Sequence, residues 1–261
     1  MRVPELPEVE SARAVIEAYA LHRAIEAVDD TDTYECRPHE PGEIASALVG
    51  RQLSAAHRRG KTMWCTTSRG GPDLGIHLGM SGRIVIEDQE GGDPQRGTAR
   101  KEEWYRFSLT FEGGSRLRLL DKRRLGRVRL DPDLSDLGPD AAEVDREDFR
   151  SLVGRGTAPL KARLLDQSTL AGIGNLLADE VLWQSRLDPR RPAGSLSADE
   201  LDGLRRRLRS SIRSAVRHGG VHTGEVVPHR ARDGHCPRCG AEMARGTVGG
   251  RTTYWCPVEQ A

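Results

Sequence analysis

Leu164-Leu165-Asp166-Gln167-Ser168-Thr169-Leu170-Ala171-Gly172-Ile173-Gly174-Asn175 is the stretch whose reading decides the fold. The apolar spacing around it predicts one helix over 160–166 and a second over 175–183. Between them, Gly172 and Gly174 permit a tight turn that a ligand's backbone can approach closely. The second helix would open with free N–H groups, an arrangement suited to a phosphate. Asn175 would add a side chain and Lys161 a nearby cation. A plain helical hairpin is the competing reading.

Downstream, residues 197–218 read as a long helix, with Ser197 and Glu200 in the spacing of a capping box. Arg205, Arg206, Arg207, Arg209, Arg213 and Arg217 lie on it in a stretch without an acid. Such a block is either a solvated face or the footprint of a polyanion partner. Beyond it, Cys236, Cys239 and Cys256 cluster at the end of the chain, a pattern that suggests metal rather than disulfide in a cytosolic protein.

Upstream, the texture is different. A first helix starts near Pro4 and Pro7 and places Val9, Ala12, Ile16 and either Tyr19 or Ala20 on one face. Short strands are predicted at 25–28, 52–58, 62–67, 74–78, 83–87, 107–111, 116–120 and 127–130, with a helix at 42–49. Closely spaced short strands indicate a sandwich or barrel. The Gly-rich, charged stretch 88–103 reads as a mobile loop. The expected class is α+β: an N-terminal β-sandwich with flanking helices, then a helical domain and a small cysteine-bearing hairpin. The expected boundaries are 1–131, 132–230 and 231–261, with a linker near 131–145.

The chain has 261 residues and a net charge of +1. No run approaches the roughly 18 apolar residues that a membrane span needs, and no secretory leader is visible. The near-zero balance hides segregation. Residues 1–50 hold eleven Asp/Glu against four Arg, whereas 116–129 hold seven Lys/Arg against Asp121 alone.

Five further stretches carry chemistry. They are Val3-Pro4-Glu5-Leu6-Pro7-Glu8-Val9-Glu10, Arg58-Arg59-Gly60-Lys61, His77-Leu78-Gly79-Met80-Ser81-Gly82-Arg83, Asp121-Lys122-Arg123-Arg124-Leu125-Gly126-Arg127, and the tail from Cys236 to Gln260. With the 164–180 stretch, they resemble, in order and over nearly the whole chain, the motifs of the formamidopyrimidine-DNA glycosylase (Fpg/Nei) family.

The resemblance implies a helix–two-turn–helix at 164–180 and a bifunctional glycosylase and abasic-site lyase of base excision repair. Its substrates would be oxidised bases, of the formamidopyrimidine or 8-oxoguanine type or oxidised pyrimidines. Pro4 would be an N-terminal nucleophile. A terminal amine, with a pKa near roughly 8 against about 10.4 for lysine, is far more neutral at pH 7 and can form an iminium with a sugar C1′. Glu5 would act beside it as acid and base. Lys61 and His77 would approach phosphates. Met80 would fill the gap left by an everted nucleotide, since apolar wedges do so in kinked duplexes. Arg123 would face the orphaned base and Leu125 would wedge beside it. Lys161, Asn175 and the hairpin's Arg251 would hold the backbone. Cys236, Cys239 and Cys256 would bind one zinc ion, with Glu259 or His235 as fourth ligand. The expected partner is damaged double-stranded DNA, the expected state a monomer, and the expected location the cytoplasm, with the nucleoid.

Three departures matter. Pro4 follows Met1-Arg2-Val3, and a proline nitrogen in a peptide bond is not a nucleophile. Val3 stands at the family's initiator position, so the expected translation start is position 3. Leu125 replaces the family's usual Phe. Only fifteen residues, 221–235, stand where the branch that removes 8-oxoguanine usually carries a longer loop. A catalytically silent relative that binds abasic or distorted DNA is the second hypothesis. A generic zinc-ribbon regulator would explain the tail alone.

Overall fold

The structure is a computed structural model describing residues 4–92 and 100–260. The chain divides into two compact units. One is Glu8–Ser135 together with Pro4; the other joins Glu5–Pro7 to residues 136–260.

In the first unit, helix α1 (Leu6–Tyr19) buries Val9, Ala12 and Ile16, and the chain buries Ala20 just beyond it, while Tyr19 is exposed. Strands β1 (Ile25–Asp29), β2 (Leu53–Arg59), β3 (Thr62–Thr67), β4 (Leu74–His77), β5 (Arg83–Ile86), β6 (Gln89–Gly92), β7 (Tyr105–Phe111), β8 (Arg116–Leu120) and β9 (Arg127–Leu130) follow, with helix α2 (Glu43–Leu48) between β1 and β2. They form a five-stranded sheet, β1-β7-β8-β5-β6, and a four-stranded sheet, β2-β3-β4-β9. All the strand pairs are antiparallel. Alternation builds the sandwich: Met63 and Cys65 of β3 and Leu117 and Leu119 of β8 point into one core with Ile16 and Phe107.

The loop expected at 88–103 is corrected in part. β6 pairs there with β5, Arg83 opposite Gly92, and a short 3-10 turn covers Glu102–Trp104. A Cβ at Gly91 would lie 2.4 Å from the Ser11 carbonyl oxygen, so the glycine lets this strand lie directly against α1. The remainder of that expectation, 93–99, lies outside the described residues.

The second unit packs α3 (Arg146–Val153), α4 (Leu160–Leu165), α5 (Asn175–Gln184) and α6 (Ala198–His218) around Phe149, Leu164, Leu177, Val181, Leu204 and Leu208. The sequence reading has no helix at α3. Asp145 caps it through the Asp148 N–H at 2.8 Å, and it buries Phe149 and Val153. The capping box of Ser197 and Glu200 forms at α6. The hairpin β10 (Ala244–Val248) and β11 (Arg251–Trp255) clusters with these helices.

Candidate active site and nucleic-acid interface

The first turn of α5 is already occupied. Glu5 Oε2 accepts the N–H groups of Gly174 and Leu177, each at 3.0 Å, and Oε1 accepts that of Leu176 at 2.8 Å. Glu5 is 2% exposed. A carboxylate at a helix N-terminus is favoured by the dipole and by the unpaired N–H groups there. Leu6 N–H also reaches the Gly172 carbonyl, at 3.1 Å. A Cβ at Gly174 would meet Glu5 Cδ at 2.2 Å, so only glycine fits. The expectation that this helix offers free N–H groups to a phosphate is therefore corrected: Glu5 takes three of them.

Lys161 is also corrected. The sequence places it on the DNA; the structure places it inside. Its Nζ lies 2.6 Å from Asp179 Oδ1 and 2.8 Å from Thr253 Oγ1, with no exposed surface. Burial pushes its ammonium below the usual lysine range, against the pull of Asp179. Arg230 Nε meets Asp179 Oδ2 at 2.7 Å, and Asn175 Nδ2 donates to the Thr252 carbonyl at 3.0 Å. These groups fasten the hairpin to α4 and α5. At its tip, Gly249 adopts φ 58° and comes so near Ala162 that a Cβ would lie 2.9 Å from Ala162 Cα. Arg251 follows with an exposed side chain.

The sulfur atoms of Cys236, Cys239 and Cys256 lie within 4.8 Å of one another. Trp183 Nε1 donates to Cys236 Sγ at 3.3 Å, and the Glu259 N–H to Cys256 Sγ at 3.4 Å. Such donors steady thiolates. Zinc–sulfur bonds of about 2.3 Å suit this spacing, so the three cysteines fit a metal. Glu259 does not complete the set. Its carboxylate lies 3.3 Å from Arg238 Nη1 and 3.4 Å from Arg186 Nε, and neither it nor His235 belongs to the cluster. Cys239 is exposed, whereas Cys236 and Cys256 are buried.

In the first unit, Pro4 is buried, and Lys61 follows Gly60 (φ 61°) in the β2–β3 turn. His77 ends β4, and its Nδ1 accepts the Gly79 N–H at 3.0 Å. A neutral ring so arranged carries its proton on Nε2. Burial, then the charges of Lys61 and Arg129, push His77 below the usual histidine range.

Met80, Arg123 and Leu125 sit on two loops that share one foundation. Met80 and Leu125 are half-buried and Arg123 is exposed. Gly79 (φ 58°) packs on the other loop so tightly that a Cβ would lie 2.3 Å from the Leu125 carbonyl carbon. Asp121, fully buried, ties both loops together. Its Oδ1 accepts Ser81 Oγ at 3.1 Å and the Arg123 N–H at 2.9 Å; its Oδ2 accepts the N–H groups of Leu125 and Gly126, both at 2.8 Å. Arg124 (φ 54°) pairs with Asp32 at 2.7 Å. Sequence reasoning missed Asp121 as the organiser, though an acid opening a basic loop is a turn-forming signal. It also gave no role to Asp179, which lies within the 164–180 stretch, and missed Arg230, which no local pattern marks.

Residues 3–128 match the model of the formamidopyrimidine-DNA glycosylase N-terminal domain, and 137–226 that of the formamidopyrimidine-DNA glycosylase H2TH domain. The formamidopyrimidine-DNA glycosylase of a Nocardioides species is 33% identical over 99% of this chain and 94% of its own length. Among solved structures, MutM in complex with DNA containing carbocyclic 8-oxo-G is 26% identical, with a TM-score of 0.82, covering 98% of this chain and 99% of that one. Lactococcus lactis Fpg in complex with DNA containing FAPY-dG is 25% identical, with a TM-score of 0.81 and the same coverage. With its strand-rich unit, its Glu5-capped helix and its cysteine-bearing hairpin, the chain belongs to the formamidopyrimidine-DNA glycosylase (Fpg/Nei) family of DNA-repair enzymes.

Proposed function

We propose that this protein is a bifunctional glycosylase and abasic-site lyase that removes oxidised bases from duplex DNA through a Schiff base on Pro4. The observation that carries the reading is the fixing of Glu5, covalently next to Pro4, by three backbone N–H groups of α5. That cage holds the carboxyl immobile, as a proton-transfer group beside a nucleophile needs. The Pro4 nitrogen attacks C1′ and the C1′–base bond breaks. The base leaves with its electron pair and takes up a proton, and the sugar ring opens to an iminium. Loss of a C2′ proton expels the 3′ phosphate; a second elimination expels the 5′ phosphate, and hydrolysis frees Pro4. Glu5 accepts and returns protons at the ring oxygen and the departing base.

Met80, Arg123 and Leu125 fill the space of the everted nucleotide, and Lys61, His77, Asn175 and Arg251 hold phosphates. The names of the relatives and the DNA bound by the solved neighbours support oxidised bases as substrates, formamidopyrimidines first. The segment 221–235 is short and folded back: Val226 N–H donates to Glu180 Oε2 at 2.9 Å, leaving little chain to cover a flipped purine. Cys236, Cys239 and Cys256 hold one zinc ion, which supplies structural support to the hairpin. The protein acts as a monomer on cytoplasmic DNA; no helix among the described residues is long and apolar enough to cross a membrane.

Borohydride trapping tests the reading. Protein made to begin at Pro4 is mixed with duplex carrying 8-oxoguanine, a formamidopyrimidine or an abasic site, and a covalent band is expected. Protein retaining Met1-Arg2-Val3 should give none. Tight binding with no band from either form would favour a silent DNA-binding relative.

A further inference from the structure

Beneath the loop that carries Arg123 and Leu125 lies a second carboxyl that the proposed reaction does not use. Glu35 is fully buried, and neither of its side-chain oxygens has a well-formed hydrogen bond; the nearest donor, the Gly126 N–H, is taken by Asp121 at 2.8 Å. Its carboxyl and that of Asp121 converge on Gly126. A Cβ at Gly126 would lie 2.6 Å from Glu35 Oε2 and 3.4 Å from Asp121 Oδ2. Asp121 accepts four hydrogen bonds from N–H and O–H groups, so it is the ionised partner. Two adjacent buried carboxylates repel, and a buried carboxylate without donors is costly. Both costs vanish if Glu35 keeps its proton. The Glu35 backbone also braces the strand that follows this loop, because its carbonyl accepts the Val128 N–H of β9 at 2.9 Å.

We propose that Glu35 is a positioning residue: as a neutral acid it donates its O–H to Asp121 and so fixes the loop that carries Arg123 and Leu125. Its bearing on DNA rests on the role given to that loop above. Burial, then the Asp121 charge, pushes the Glu35 carboxyl up to about 8. An exposed glutamate releases its proton near 4.5. Closing the loop over Glu35 therefore takes up a proton between those values. Loop closure is strongest in acid, weakens as pH rises to about 8, and is level above it.

The other charged and titratable groups facing the pair do not share this window. On the 31–36 turn, Asp32 is held below the usual aspartate range, against its burial, by Arg124, and it also faces Arg106 at 3.7 Å. Burial and nearby acids push the Cys36 thiol up to about 12. From β7, Arg106 donates to the Asp121 carbonyl at 3.0 Å. From the 77–82 loop, Ser81 does not titrate, and His77, whose carbonyl lies beside Gly126, is pushed below the usual histidine range by burial and then by Lys61 and Arg129.

The test is amide hydrogen exchange on the full chain without DNA, from about pH 6.5 to about pH 9. Catalysis is a poorer readout, because the terminal amine of the proposed nucleophile also ionises near roughly 8. In the wild type, the N–H groups of Arg123, Leu125 and Gly126 should lose protection by about tenfold per pH unit, beyond the intrinsic rise, until about pH 8, and then level off. Glu35→Gln, which can still donate to Asp121, should show only the intrinsic slope. An excess slope that survives in Glu35→Gln, or one shared equally by the core strand amides of Leu117 and Leu119, would overturn the proposal. Should the variant not fold, the infrared carbonyl band of a protonated carboxyl decides on wild type alone: it should be present at neutral pH and fade through about pH 8, and its absence overturns the proposal. Arg123→Ala separates this from the DNA reading. Unchanged duplex binding there would count against the loop's DNA role and leave the carboxyl pair standing.

Discussion

Lys161 Nζ lies 2.6 Å from Asp179 Oδ1, and both side chains are fully buried. Asp179 also meets Arg230 at 2.7 Å, so removing it strands two cations in the interior. Asp179→Ala should lower unfolding free energy in urea by about 3–5 kcal/mol. Lys161→Met should cost less, because Arg230 still neutralises Asp179. A loss below about 1 kcal/mol for Asp179→Ala would mean that this network does not fasten the hairpin.

Glu5→Gln places an amide where both oxygens now accept backbone N–H groups. Base removal, followed in single turnovers, should slow by about a hundredfold or more, with a duplex Kd within about threefold of wild type. Equal losses in rate and affinity would argue against proton transfer by Glu5.

Arg251 stands with an exposed side chain at the start of β11, next to the buried anchor formed by Thr252 and Thr253. Arg251→Ala should weaken lesion binding at moderate salt and reduce the slope of log affinity against log salt by about one. The melting temperature should not move. Unaltered affinity would remove the hairpin from the interface.

The carboxylate of Glu259 faces Arg238 and Arg186, not sulfur. Elemental analysis of Glu259→Ala should therefore still find one zinc per chain, whereas Cys256→Ser should lose it. Zinc loss in Glu259→Ala would restore the carboxylate as a ligand.

Much of the fold is written in local pattern. Strands 62–67, 116–120 and 127–130 appear where the reading puts them, because each apolar residue that faces the core is next to one that faces out. The α6 start is legible because its cap is a side chain three residues from its partner. Where pattern fails, the deciding contact is distant. Gln89-Glu90-Gly91-Gly92 has no apolar signal; its pairing with β5 makes it a strand, and Gly91 lets it lie against α1. Arg146–Val153 is mostly polar and buries just two side chains. Lys161 reads as a surface cation until Asp179 and a threonine from the hairpin close around it. Glu259 has the right distance from Cys256 for a ligand, and two arginines claim it first. Glu35 has no signal at all, since its meaning lies wholly in Asp121.

The contact of Gly79 with the backbone of Leu125 makes the loops that carry Met80 and Leu125 a single inherited part. Drift at one is constrained by the other, so Met80 and Leu125 should change in step among descendants of this chain. An engineer grafting a different loop at 121–127 must carry 77–82 with it.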